Sequence, residues 1–241
     1  MAKFCTKCGK KIEDGKKCNC INKVSTVNKK TSDIDINEII NSLVDIAKGI
    51  FVKPIDTIRK YSSDSNMVLG FILIAINSII TCIMGYLLVK ESMGALMSLF
   101  MGGYGSLYSL TGSSIDIPFF EVAGIIFLII AVYFVVLAFA SYIIANKVFK
   151  ADTTWKKAVA SIGVCSALTS ITSIVAIICI YISMTTFMVV ICLAALLFTS
   201  YYYHSIAITS DIDENKQGYT FISAMAVALF IAVYLLPKIF S

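Results

Sequence analysis

The sequence predicts an all-α membrane protein: five transmembrane helices behind a small cysteine-rich N-terminal module. Three observations predict it. First, 58% of the 241 residues are hydrophobic and 15% charged, with a mean hydropathy of +0.86. A soluble domain carries about 45–50% apolar and about 25% charged residues, so a water-soluble globular enzyme is excluded. Second, charge is unevenly placed: positions 1–66 hold 13 of the 20 basic residues, and long apolar runs follow. Third, the eight cysteines split evenly. Cys5, Cys8, Cys18 and Cys20 lie in the charged part, and Cys82, Cys165, Cys179 and Cys192 in the apolar part.

The N-terminal module covers 1–22. Cys5-Thr-Lys-Cys8-Gly9 is a metal knuckle, in which Gly permits the turn that aims backbone N–H groups at thiolate sulfurs. Cys18-Asn-Cys20 has one intervening residue instead of the usual two, yet four thiolates can still surround one Zn2+ tetrahedrally. A zinc ribbon is the reading, with Cys5, Cys8, Cys18 and Cys20 as ligands. All four positions are taken by protein, so the zinc is structural and none is left for substrate. A stretch of ~20 residues is too small to build a core, so the metal would fold it. Disulfides are disfavoured because topology places the module in the reducing cytosol. Redox thiols, an iron–sulfur ligand set and an empty, degenerate site remain as rivals. Lys3, Lys7, Lys10, Lys11, Lys16 and Lys17 could meet nucleic acid or anionic lipid, or simply be solvated. The membrane tether favours lipid or protein. The single arginine, Arg59, against 19 lysines counts against sequence-specific nucleic-acid reading. No secretory signal peptide is expected, since no apolar segment with a small-residue cleavage site opens the chain.

Residues 23–35 form a polar linker without periodicity. Residues 36–61 form an amphipathic pre-membrane helix. Asp35 and Glu38 are placed as a capping pair, and Ile36, Ile39, Ile40, Leu43, Ala47, Ile50 and Phe51 recur at spacings of three and four. Pro54 interrupts it, and a second short turn carries Ile55, Ile58 and Tyr61. Packing on the protein's own spans and contact with lipid are equally open for this helix.

Residues 62–241 form the transmembrane domain. A bilayer core of about 30 Å needs about 20 apolar residues per helix. Five runs qualify: about 67–89, 122–145, 158–183, 187–208 and 220–236. The boundary between the third and fourth is the softest, a hinge near 183–186 without charge. The connection 90–118 reads as a short interfacial helix followed by a Gly- and Ser-rich loop. Basic residues orient the chain: with five crossings, 18 of the 20 fall on one side, and that side is the cytoplasm. The N-terminus is then cytoplasmic and the C-terminus extracytoplasmic. Trp155 and Tyr201-Tyr202-Tyr203 fall near the cytoplasmic interface.

No catalytic set emerges, and the chain is not expected to be an enzyme. Glu121 and His204 sit at span ends and read as interfacial. Ser113 and Ser114 lie on the opposite side from His204, which excludes a serine–histidine pair. Asn77 is expected to bond a neighbouring helix, and the four membrane cysteines to pack as small apolar residues.

The layout resembles the Yip family of multi-pass membrane proteins, in its bacterial form with an appended zinc ribbon. The resemblance rests on the N-terminal knuckle, the segment Gly-Ile-Phe-Val-Lys-Pro-Ile-Asp-Thr-Ile at 49–58, the five spans and the basic stretch Thr-Trp-Lys-Lys-Ala at 154–158. The Asp-Leu-Tyr-Gly-Pro type of signature of eukaryotic members is absent and span three lacks Pro, so a Rab-type GTPase partner is not implied. The resemblance implies a non-enzymatic membrane protein, here of a bacterial plasma membrane. The expected partners are the lipid bilayer and, through the N-terminal module, a protein or a second copy of the chain. A small-solute permease or channel-like protein and a membrane-tethered sensor are the alternatives.

Overall fold

A computed structural model describes residues 3–4, 11–12, 36–100 and 118–235; in the two strands and at 92–100, 233 and 235 it describes the backbone alone. The chain divides into two compact units, Met1–Asn37 and Glu38–Ser241. In the first, β1 (Lys3–Phe4) pairs antiparallel with β2 (Lys11–Ile12), Lys3 opposite Ile12 and Phe4 opposite Lys11.

The second unit is helical. Helix α1 (Ile36–Val52) and helix α2 (Pro54–Tyr61) are separated at Lys53, where Pro54 occupies the first turn of α2 and cannot continue α1. A 3-10 turn (Asp64–Asn66) leads into α3 (Met67–Phe100). Helix α4 (Phe119–Ile143) ends in a π-helical turn (Ile144–Val148). Helix α5 (Trp155–Ile182) is followed by α6 (Met184–Ser210). Helix α7 (Glu214–Phe230) also runs into a π-helical turn (Ile231–Leu235).

Among the described residues, four helical segments are long and apolar enough to cross a membrane: Asp64–Glu91, Phe119–Val148, Trp155–Ile182 and Met184–Ser210. These carry the first four predicted spans. The fifth predicted span falls on α7, whose α-helical part is 17 residues long. Its helical backbone continues through the π turn, and from Gln217 to Leu235 it carries no charge.

Two expectations are corrected. Helix α3 continues unbroken to Phe100, 34 residues in all, so the stretch after Lys90 prolongs the first span instead of forming a separate interfacial helix. At ~1.5 Å per residue, α3 is about 51 Å long, well beyond a bilayer core. The loop expected beyond it, with Ser113 and Ser114, falls at 101–117, outside the described residues. The hinge expected at 183–186 is a single extended residue, Ser183, at φ −167° and ψ 135°. One residue suffices because α5 and α6 then pack directly on each other.

Helix α5 is the axis of the bundle. It packs against α3, α6 and α4, while α7 packs on α4 and α6, and α2 on α5 and α6. Of the most apolar window of α5, 61% is buried, against 39% for α3, 22% for α4 and 17% for α6. Its buried residues are mostly small (Ala158, Ala160, Ser161, Gly163, Cys165, Ser166, Ala167, Ser170, Ser173, Ala176 and Cys179), with Val159, Ile162, Val164 and Leu168 between them. Lipid tails are as apolar as leucine, so membrane helices associate through close packing, which small residues permit. The closest approach is Gly70 of α3 against Gly163 of α5. A Cβ on Gly70 would stand 2.7 Å from the Ala160 Cα and 2.7 Å from the Val159 carbonyl oxygen. Nothing larger than hydrogen fits there.

Candidate functional site

The predicted metal ligands Cys5, Cys8, Cys18 and Cys20 lie outside the described residues. The sequence between β1 and β2 contains Cys5 and Cys8. Among the described residues, no three His, Cys, Asp or Glu side chains gather as a metal site. The four membrane cysteines are free thiols: Cys82, Cys165 and Cys179 are buried and Cys192 is exposed on α6. The three buried ones match the packing role expected of them.

On the side of α2, a polar clip fixes the pre-membrane helices. The Asp45 carboxylate of α1 accepts from Lys60 Nζ at 2.6 Å and from Tyr61 OH at 2.7 Å, both on α2. Lys60 hydrogen-bonded to Asp45 holds that carboxyl below its ordinary value and is itself held above the ordinary lysine value. Desolvation pushes the Tyr61 phenol up. Below the clip, Ile46, Ile50 and Ile58 are wholly buried. Tyr201 of α6 donates to the Ile50 carbonyl at 3.2 Å, joining α1 to the bundle. Packing on the protein's own spans therefore accounts for one flank of α1. Along the adjoining flank, Ile40, Val44, Ala47 and Phe51 are exposed. The two flanks form one apolar arc, one side buried against protein and the other exposed among the described residues.

Within the aromatic triplet, Tyr202 faces protein. Tyr202 is 0% exposed, hydrogen-bonds the Ser141 hydroxyl of α4 at 2.5 Å and packs between Phe198 and Phe221. It is a core residue of the bundle. Tyr203 makes edge contacts to His204 and Phe221, and His204 is exposed. Trp155 stacks on Phe139 at 6.0 Å, in the first turn of α5 capped by Thr154, whose hydroxyl accepts from Lys157 N at 3.2 Å. Lys156 and Lys157 thus belong to α5 itself.

Within the membrane part, a group of polar side chains meets at the seam between α3 and α5. Asn77 of α3 is 1% exposed, and its Oδ1 accepts from Thr169 Oγ1 at 2.8 Å and from Ser170 Oγ at 3.2 Å, both on α5. Thr81 Oγ1 stands 3.5 Å from the same oxygen. Thr169 and Ser170 also lie within reach of the Ser166 carbonyl, at 2.8 and 3.1 Å. The expected interhelical bond of Asn77 is present. Its partners were missed by sequence reading, although Ser166, Thr169, Ser170 and Ser173 recur at spacings of three and four within a span and so share a face. Beside the seam is a cavity of 260 Å³, lined by α3, α4, α5 and α6.

The sequence profile of the Yip1 domain matches residues 48–236, from the end of α1 through the π turn after α7. No curated protein and no solved structure matches the chain.

Proposed function

Because the chain belongs to the Yip1 domain family, we propose that it is a non-enzymatic, multi-pass membrane protein whose cytosolic zinc ribbon engages a protein partner or a second copy. Five helices cross the bilayer, α7 with its π turn being the fifth. Its 22 helical residues would span about 33 Å at ~1.5 Å per residue. The observation that carries the orientation is the sorting of basic residues. With five crossings, 18 of 20 lie on the side of the N-terminus, which is therefore cytoplasmic, at a bacterial plasma membrane. Cys5, Cys8, Cys18 and Cys20 hold one structural zinc ion, since four thiolates suit a closed tetrahedral site.

Cys5→Ser or Cys18→Ser abolishes zinc in the purified protein, read by elemental analysis, and leaves membrane insertion intact. Affinity capture with the full chain retains a partner, or a differently tagged copy of the chain, that a chain lacking residues 1–31 loses. Failure of the Cys variants to insert would overturn the modular reading. Equal capture without the first 31 residues would overturn the role of the ribbon.

A further inference from the structure

The cavity beside the polar seam has apolar walls and an unmatched polar floor. Its walls include Ile130 and Phe134 of α4 and Ile191, Ala194, Ala195 and Phe198 of α6. The Phe134 and Phe198 rings meet edge to face at 5.5 Å. Ser141 and Tyr202 also bridge α4 and α6 by their hydrogen bond. Ala195 is exposed, so the cavity has an open side along α6.

On the floor, one buried side chain is paired at one end only and another has no partner among the described residues. Asn77 is 1% exposed; its oxygen is approached by three hydroxyls, whereas its Nδ2 has no acceptor among the described residues. Turning the amide over lets Nδ2 donate to Thr169 and Ser170, which keep their bonds to Ser166, and leaves the oxygen unmatched instead. In either sense one end of the amide is unsatisfied. Ser173 of α5 is 5% exposed, lines the same cavity and has no hydrogen-bond partner among the described residues. Buried polar groups are normally paired, because leaving them unpaired in an apolar medium is costly.

We propose that this cavity binds the head of a neutral lipid alcohol, its hydroxyl placed between Asn77 and Ser173 and its tail leaving past Ala195 into the acyl chains. A hydroxyl both donates and accepts, so it satisfies the Asn77 amide in either sense and Ser173 at once. The head is uncharged, because no Asp, Glu, Lys, Arg or His lines the cavity and an unpaired charge at this depth is expensive. The volume of 260 Å³ is just under the ~300 Å³ at which drug-sized pockets begin, enough for a head and a few carbons and not for a whole lipid. Asn77 lies near the middle of the charge-free run 67–89, too deep for the phosphate of a phospholipid. This inference rests on the bundle lying in the bilayer and is independent of the zinc module.

The test uses full-length protein in nanodiscs of phosphatidylcholine and phosphatidylglycerol, irradiated with a diazirine-bearing hexadecanol, with adducts mapped by mass spectrometry. Adducts should concentrate on Ile130, Ile191 and Ala195 and fall at least fivefold under excess unlabelled hexadecanol. Ala195→Phe, which fills the open side from an exposed position, should lower them at least fivefold. Ser173→Ala, a smaller change inside the floor, should weaken the competition about threefold. The proposal is overturned if adducts spread evenly over the exposed faces of α4 and α6, or if a diazirine phosphatidylcholine labels the same residues equally. It is overturned too if both variants label as the wild type, including the case of a cavity holding water only. Carbonate extraction keeps the two levels apart: extraction of the wild-type protein itself would defeat the membrane reading beneath the proposal.

Discussion

Helices α5 and α6 are consecutive, 28 and 27 residues long, and joined by the single residue Ser183. Yet 61% of the most apolar window of α5 is buried and 17% of that of α6. Size and polarity, not greasiness, separate them. Most buried residues of α5 are alanine, serine, glycine or cysteine, with Val159, Ile162, Val164 and Leu168 among them, whereas the exposed side of α6 carries Met188, Val189, Leu193, Leu196 and Leu197. In water the larger apolar side chains would go inside. In lipid they have no reason to, and helices meet where small residues let backbones approach and hydroxyls bond across.

That contrast can be broken most sharply at the α3–α5 crossing. Gly163→Leu should destabilise by about 3 kcal/mol, the upper end of overpacking effects, because the obstruction is Gly70 backbone and cannot rotate away. A detergent or denaturant unfolding curve would show it. Asn77→Leu should weaken the same crossing by ~0.6–1.7 kcal/mol, the range for interhelical hydrogen bonds in membranes. Tyr202→Phe should lose about 1 kcal/mol by the same measurement, since Ser141 keeps its bond to the Leu137 carbonyl.

The comparison sharpens from the other side with Leu196→Ala on α6. Leu196 is 67% exposed, so its truncation should move the unfolding curve hardly at all.

The clip between α1 and α2 also gives a small effect. Asp45 has a depressed value, so its contribution is present above its ordinary value of 3.8 and disappears as pH falls through the lower folded one. Lys60 has a raised value, so its contribution is present below 10.5 and is lost as pH rises through the higher folded one. Hydrogen exchange of the α2 amides should therefore be level over about pH 5 to 9 once intrinsic exchange is corrected for. Asp45→Asn should raise it throughout that window, and both groups being exposed keeps the effect small.

Much of this architecture was legible beforehand. Apolar runs without charge marked each long helix, Pro54 marked the break between α1 and α2, and the three-and-four spacing marked Ile50 and Ile58, which are buried, but passed over Ile46 and included Ile36, Ile40, Ala47 and Phe51, which are exposed. What hydropathy could not say was which helix forms the axis, because every span is apolar on all sides. The same uniformity hid which ring of the Tyr201–Tyr203 triplet is buried, namely Tyr202. It also hid the continuation of α3 to Phe100, since the Lys90-Glu91 pair looks like a span end and helix propensity carries through it. Asn77 stood out as a lone amide, but its unmatched end became visible only once Ser173 and the cavity were in place.

The proposed topology hinges on α7, the one membrane helix whose α-helical stretch is short, and hence on an odd number of crossings. Alkaline phosphatase and green fluorescent protein fused in turn to the C-terminus of the full chain test it most directly. Five crossings from a cytoplasmic N-terminus predict an active phosphatase and a dark fluorescent protein. A fluorescent C-terminal fusion with inactive phosphatase would contradict them.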